Sequence, residues 1–113
     1  MWAKSQPAAL GDFEQLVLLG VLRLGGDAYG AAIRQEIHAR SGRDISINAV
    51  YTTLERLELK KMLRSRVGEP TPQRGGRRKR YFALSTAGEQ ALQASWQRLK
   101  RVAEGIEPLL EKN

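Results

Sequence analysis

At 113 residues, 42% hydrophobic and 27% charged, the chain has the length and composition of one small soluble globular domain; it is too short for two cores and neither disordered nor collagen-like. The absence of cysteine excludes disulfides, thiolate nucleophiles and cysteine-based zinc sites, and fits a reducing compartment. The formal net charge is +7, and it is concentrated: residues 60–80 carry +8, while the other 92 residues sum to −1. One basic block on an otherwise balanced protein points to a polyanionic partner, nucleic acid ahead of an anionic membrane.

Residues 1–10 show no periodicity and read as a flexible arm, with Trp2 an odd residue to leave in water. A first helix is expected over residues 12–24, with Asp12 capping the amide of Gln15 and Gly25 and Gly26 stopping it. Phe13, Leu16, Val17, Gly20, Val21 and Leu24 make one apolar face, and Leu18, Leu19 and Leu22 make much of the other side apolar. The apolar stretch over residues 16–22 is far too short for a membrane span of about 20 residues, so a cytoplasmic protein with no membrane partner is expected. A helix apolar on both sides needs cover on both, and a chain this small obtains that from a second copy of itself.

A second helix starts after Asp27 and runs to about Arg40, burying Tyr29, Ala32, Ile33 and Ile37, until Ser41 and Gly42 end it. After an extended pair at Asp44 and Ile45, Ser46 is a good N-cap for a third helix over residues 47–61 with Val50, Leu54 and Leu57 inward. Asn48, Ala49, Thr52, Thr53 and Arg56 then face out. They are short and mostly uncharged near the helix start, as in a helix that enters a groove.

The period next changes from 3.6 to 2: residues 63–67 alternate apolar and polar, as residues 80–84 do in part. Between them lies a tip over residues 68–76 with Pro70, Pro72, Gly75 and Gly76, which predicts a two-stranded hairpin whose arginines gather at the tip and second strand. Ser85 or Thr86 caps a last, long helix, Thr86 and Glu89 standing at capping-box spacing. In it Leu92, Leu99 and Ile106 recur every seven residues, with Ser95, Val102 and Leu109 at the complementary positions. This seam is a second sign of dimerisation; Gly105 and Pro108 end or kink the helix near Glu107.

Helix, helix, turn, helix, basic hairpin, long helix is the layout of a winged helix-turn-helix, mainly α with a small β-hairpin wing, followed by a dimerisation helix. The residues that fill it resemble the short PadR-type transcriptional regulators over roughly residues 11–99. They are Ala28-Tyr29-Gly30, residues 46–57 (SINAVYTTLERL), residues 75–84 (GGRRKRYFAL) and residues 85–92 (STAGEQAL), in this order. The chain differs from the multidrug-responsive repressors of that group in its longer, proline-containing wing tip, in Gly105 and Pro108, and in Ser95.

The resemblance implies an arm over residues 1–10, a DNA-binding domain over 11–84 and a dimerisation helix over 85–113. It implies a homodimeric repressor on a palindromic operator, with Asn48, Tyr51, Thr52 and Arg56 in the major groove and Arg77, Arg78 and Lys79 on phosphates or the minor groove. The full candidate DNA-contacting set adds Tyr29, Ser46, Ala49, Thr53, Arg74 and Gly75. The candidate dimer interface is Phe13, Leu16, Val17, Gly20, Leu92, Trp96, Leu99, Val102 and Ile106. Trp96, with Leu92 and Leu99, stands where some short members stack a planar drug, so a small apolar or planar effector is a candidate partner.

Physical chemistry supports that division of labour without the family. Arg and Lys on phosphates supply affinity by counterion release, while short polar side chains at a helix start can read base edges. The lone His38 reads as a surface residue, and Glu55 and Glu58, beside Arg56 and Lys60, as salt-bridging surface acids. With no thiol, one histidine, no clustered metal ligands and no phosphate-binding glycine loop, neither an enzyme nor a metal or cofactor is expected. The competing reading is a winged-helix module for RNA or a protein assembly, against which stands the lack of an exposed aromatic platform for bases.

Overall fold

The computed structural model describes residues 10–70 and 78–112. Its elements are α1 (Asp12–Leu24), α2 (Gly30–Ser41), α3 (Ile47–Leu59), β1 (Leu63–Pro70), β2 (Arg78–Leu84), α4 (Thr86–Ala103) and α5 (Glu107–Leu110), with a single 3₁₀ turn, Gly25–Asp27, after α1. Helices α1, α2 and α3, the antiparallel hairpin and the start of α4 enclose one core. Val17, Leu18 and Val21 of α1 meet Ile33 and Ile37 of α2, Val50, Leu54 and Leu57 of α3, Leu63, Phe82 and Leu84 of the hairpin, and Ala91 and Leu92 of α4.

The start of α1 differs from the expected cap. Gly11, extended at φ −69°, is the N-cap, and the Glu14 carboxylate reaches back to accept from its amide at 3.0 Å. Asp12 therefore lies inside the helix, where it pairs with Arg43 at 2.9 Å. Glu14 is buried and its second oxygen accepts from Lys60 at the end of α3, also at 2.9 Å. Burial raises the carboxyl's pKa, but the Lys60 hydrogen bond, the Gly11 amide and the nearby Lys60 and Arg56 charges together lower it below its ordinary value of 4.5.

A lowered folded-state pKa adds stability above the ordinary carboxylate range, and this is lost as pH falls through the folded value. Glu14→Gln is thus expected to cost about 1–3 kcal/mol at pH 7. That cost should shrink from pH 7 to an acid pH below the folded-state value, where the wild-type carboxyl is protonated too. Denaturant melts at both pH values measure it; a cost that does not change with pH would show that the charge contributes nothing.

Helix ends follow their chemistry. Gly42 closes α2 at φ 72°. At the end of α3 the Lys61 amide donates to Glu58 O and the Met62 amide to Leu57 O, both at 2.9 Å, with Lys61 itself left-handed at φ 66°. This turn swings the chain sharply into β1. The expected acid pairs on α3 are rearranged: Lys60 goes to Glu14, while Glu58 accepts from Ser65 Oγ of β1 at 2.6 Å.

Ser85, rather than Thr86, caps α4, its hydroxyl oxygen accepting from the Gly88 amide at 3.0 Å. The expected break in the last helix is present, a few residues before Glu107. The helix stops at Ala103, Gly105 takes φ 91°, and a four-residue α5 restarts with Pro108 in its first turn. Ile106 and Leu109 therefore leave the heptad seam, which on one continuous helix runs only from Leu92 to Val102. Among the described residues no helix is long and apolar enough to cross a membrane.

The apolar faces also sort differently from expectation. Val17, Gly20 and Leu92, expected at a dimer interface, are buried within the single chain, and Phe13 and Leu16 pack against its core. A Cβ on Gly20 would sit 3.4 Å from Ile33, so this glycine serves the close approach of α1 and α2. What α1 leaves uncovered is Leu19 and Leu22, about half exposed (48% and 56%).

Candidate nucleic-acid interface

Helix α3 is anchored at its start by Ser46 Oγ, which accepts from the Ala49 amide at 3.0 Å. Arg34 of α2 ties down the preceding turn by donating from Nε to Ile45 O at 2.7 Å, with Asp44 near its guanidinium at 3.8 Å. Arg34 had no distinguishing mark in the sequence; only the fold shows that it braces the turn between the two helices. Val50, Thr53, Leu54 and Leu57 form the buried stripe, while Asn48, Tyr51, Thr52, Glu55 and Arg56 are exposed. Thr53 is a correction: at 4% exposure it faces the core. It completes the i, i+3, i+4, i+7 stripe with Val50, Leu54 and Leu57, a phase visible in the spacing itself. Ala49 is half-buried at the edge of the outer face.

Tyr51, 47% exposed, lies across the first turn of α2. A Cβ on Gly30 would come within 2.4 Å of its Cε1 and 2.9 Å of its hydroxyl oxygen, so the ring sits where only glycine leaves room. Gly30→Ala is expected to displace the half-exposed ring and to weaken about tenfold the duplex binding that the sequence leads one to expect, while the better helix propensity of alanine offsets part of any loss in stability. In a Tyr51→Ala background the same change should raise the melting temperature slightly, because the obstacle is gone. Paired thermal melts and binding titrations check both outcomes.

Tyr29, expected on the buried side of α2, instead precedes it as an extended N-cap residue. It forms an isolated antiparallel bridge with Tyr81, and Ala28 O accepts from the Phe82 amide at 2.8 Å. The segment before α2 thus lies along the free edge of β2. The sequence had placed its extended pair at Asp44 and Ile45, which form no strand.

The wing pairs Leu63 with Leu84, Arg64 with Ala83, Ser65 with Phe82, Arg66 with Tyr81 and Val67 with Arg80; a register shift follows before Pro70 meets Arg78. Leu63, Phe82 and Leu84 turn to the core, and the alternate residues Arg64, Arg66, Lys79 and Tyr81 share the other face. The strands run further into the expected tip than the alternation indicated, as far as Pro70 and Arg78. Arg64, Arg66, Arg78, Lys79 and Arg80 are all exposed. Arg74, Gly75 and Arg77, read as contact residues, lie outside the described residues, as does Trp2.

On the wing, two cations rest on tyrosine rings. Lys79 Nζ is 4.1 Å from the centroid of Tyr29, the Arg66 guanidinium carbon 4.6 Å from that of Tyr81, and the two rings meet edge to face at 5.7 Å. The chain's three tyrosines therefore connect α3 to the wing across the start of α2. Composition alone held no signal for these stacks, because they join residues from three separate segments.

On α4, Trp96 is 57% exposed. With Leu99 and Leu110 it lines an open groove where α5 follows the end of α4, rimmed by Lys100, Arg101, Glu104, Glu107 and Glu111. Leu92, grouped with Trp96 in the sequence reading, is buried in the core instead and lines none of this groove.

The family model described as the transcriptional regulator PadR-like family matches residues 18–94. No curated protein matches the chain. Among solved structures it is similar to a PadR family transcriptional regulator from Eggerthella lenta, at 27% identity and TM-score 0.63, covering 88% of this chain and 84% of that one. A PadR family regulator from Clostridium difficile shares 21% identity at TM-score 0.68, with 87% and 98% coverage. F93 from STIV, described as a winged-helix DNA-binding protein, shares 19% identity at TM-score 0.66, with 87% and 98% coverage. With the matched segment running from within α1 into α4, and so across both the helix-turn-helix and the basic wing, the chain belongs to the PadR-like family of transcriptional regulators and is not an enzyme.

Proposed function

We propose that the protein is a homodimeric, sequence-specific repressor acting in the cytoplasm, reading a palindromic operator with α3 and gripping its backbone with the wing. One observation carries this reading. The outer face of α3 and the cationic hairpin are joined into one surface by Tyr51 on Gly30 and by Tyr29 on Tyr81. In that surface Asn48, Thr52 and Arg56 supply the donors and acceptors suited to base edges, with Ser46 and Ala49 at the helix start and Tyr51 toward a phosphate. Arg78 and Lys79 supply charge, joined in this reading by Arg74, Gly75 and Arg77 of the tip. The cations that cover Tyr29 and Tyr81 occupy ring faces on which RNA bases would stack, which favours duplex DNA over single-stranded RNA.

Residues 11–84 then form the DNA-binding unit and residues 85–113 the dimerisation segment, with residues 1–10 as an arm. Among the exposed apolar residues, those of α1 and α4 available to a second copy are Leu19, Leu22, Trp96, Leu99 and Val102, with Ile106 beyond the helix break. A planar effector seated at Trp96 and Leu99 would change the angle between the two reading heads, moving the half-sites off their spacing of about 34 Å.

Selection of bound duplexes from a random DNA pool, at two salt concentrations, tests the proposal. Enrichment of an inverted repeat is the expected result. Binding without enrichment, lost uniformly in salt, would reduce the protein to a non-specific basic module.

A further inference from the structure

We infer that Tyr29 and Tyr81 are positioning residues that hold Lys79 and Arg66 ready for the DNA backbone, acting through these cations rather than by touching DNA. The inference rests on the DNA-binding reading above. It begins from what the cations lack: among the described residues, the ion pairs of the molecule are Arg23 and Arg40 with Glu36, Arg34 with Asp44, Arg43 with Asp12, and Lys60 with Glu14. Among the described residues neither Lys79 nor Arg66 has a carboxylate within 4.0 Å, and each stands over a tyrosine ring instead.

The difference has a physical consequence. A carboxylate would fix a long side chain but cancel its charge, and a phosphate would have to displace it. A ring face attracts the cation through its quadrupole, limits its rotamers and leaves its positive charge and N–H donors available to an anion. Part of the ordering entropy of binding is thereby spent on folding, which is how preorganisation raises affinity.

The rings are themselves fixed. Tyr29 is pinned by its bridge to β2 and by its edge-to-face contact with Tyr81. Tyr81 lies over Gly68 of the opposite strand, where a Cβ would come within 2.7 Å of its Cε1. The small residue in β1 lets the ring lie down across the strand, toward the face that also carries Arg66. Tyr29 is moreover the residue that leads into α2, so Lys79 is referenced to the helix-turn-helix rather than to the hairpin alone.

The experiment is a double-mutant cycle on duplex affinity, using the full chain and the duplex recovered by selection. Tyr29→Leu is expected to weaken binding about two- to fivefold, the range one exposed cation–ring contact supplies. Tyr29→Phe should bind like the wild type, and Tyr29→Leu should have no further effect once Lys79→Ala is present. Additive losses, or a Tyr29→Phe loss equal to that of leucine, would mean that Tyr29 contacts DNA directly and would overturn the inference. Should leucine disturb the fold, fluorinated phenylalanines at residue 29 keep the ring's shape while draining its face. Affinity should then fall stepwise with fluorination when Lys79 is present and stay flat with Lys79→Ala; the same response in both backgrounds overturns the inference. Absence of duplex binding by the wild-type chain overturns the functional reading and this inference together, whereas duplex binding with additive losses overturns this inference alone.

Discussion

Alanine at Arg78, Lys79 and Arg80 together is expected to weaken duplex binding by about two orders of magnitude at moderate salt, and to flatten its salt dependence. Each phosphate contact contributes about −0.9 to the slope of log K against log salt concentration, so three lost contacts reduce the steepness by up to about 2.7. All three side chains are exposed on β2, so their removal leaves the core untouched. The selected operator sequence should not change, because phosphate contacts position the protein without reading bases. Asn48→Ala or Arg56→Ala should do the reverse, relaxing preference at individual base positions with a smaller change in slope. The control is the triple alanine variant of Arg98, Lys100 and Arg101, exposed cations of α4 outside this surface, which should bind with an unchanged slope. Affinity titrations over a series of salt concentrations decide the matter; equal effects of the two triple variants would show that the wing has no special place at the interface.

The largest expected effect on stability is at Gly88. A Cβ there would stand 2.0 Å from the carbonyl oxygen of Met62 and 3.0 Å from its carbonyl carbon. Neither atom belongs to a flexible side chain. The same Met62 oxygen accepts from the Ser85 amide at 3.0 Å, and Ser85 Oγ donates to Lys61 O at 2.6 Å, so the first turn of α4 is bolted to the turn that ends α3. An added methyl must push the helices apart, and overpacking of this kind costs about 3 kcal/mol. For a domain of this size that lowers the melting temperature by roughly 10–15 °C at fixed protein concentration. Gly26→Ala provides the comparison, since nothing lies within 4 Å of a Cβ at that exposed position. A Gly88→Ala chain that melts like Gly26→Ala would show that α4 is not seated on Met62.

Helices, hairpin and the seat of charge were legible because each leaves a local trace. The stripe Val50, Leu54, Leu57, the Ser46 cap and the change of period after residue 62 depend on neighbours only a few positions away, and the bounds of α1 came out at Asp12–Leu24 as expected. Caps proved less legible than helices. Asp12 and Gly11 compete within one turn, and the choice went to Gly11 because Glu14 is also drawn inward by Lys60, 46 residues away. Thr53 was misread because its polarity outweighed its phase; in the fold it belongs to the buried stripe.

The apolar faces were the least legible part of the chain. Hydrophobicity marks Val17, Leu19, Gly20, Leu22, Leu92 and Trp96 as residues to be covered, but does not say whether the cover is the chain's own core or a second copy. Packing decided it, giving Val17, Gly20 and Leu92 to the interior and leaving Leu19, Leu22 and Trp96 outside. The sequence by itself determined the order of elements, the family and the place of the positive charge, because periodicity, caps and composition act over a few residues. Only the tertiary structure decided which cations stand over which rings, which glycines make room for Tyr51, Tyr81 and Met62, and where α4 breaks into α5. Those outcomes depend on atoms brought together from distant segments, and no local pattern encodes a distance between them.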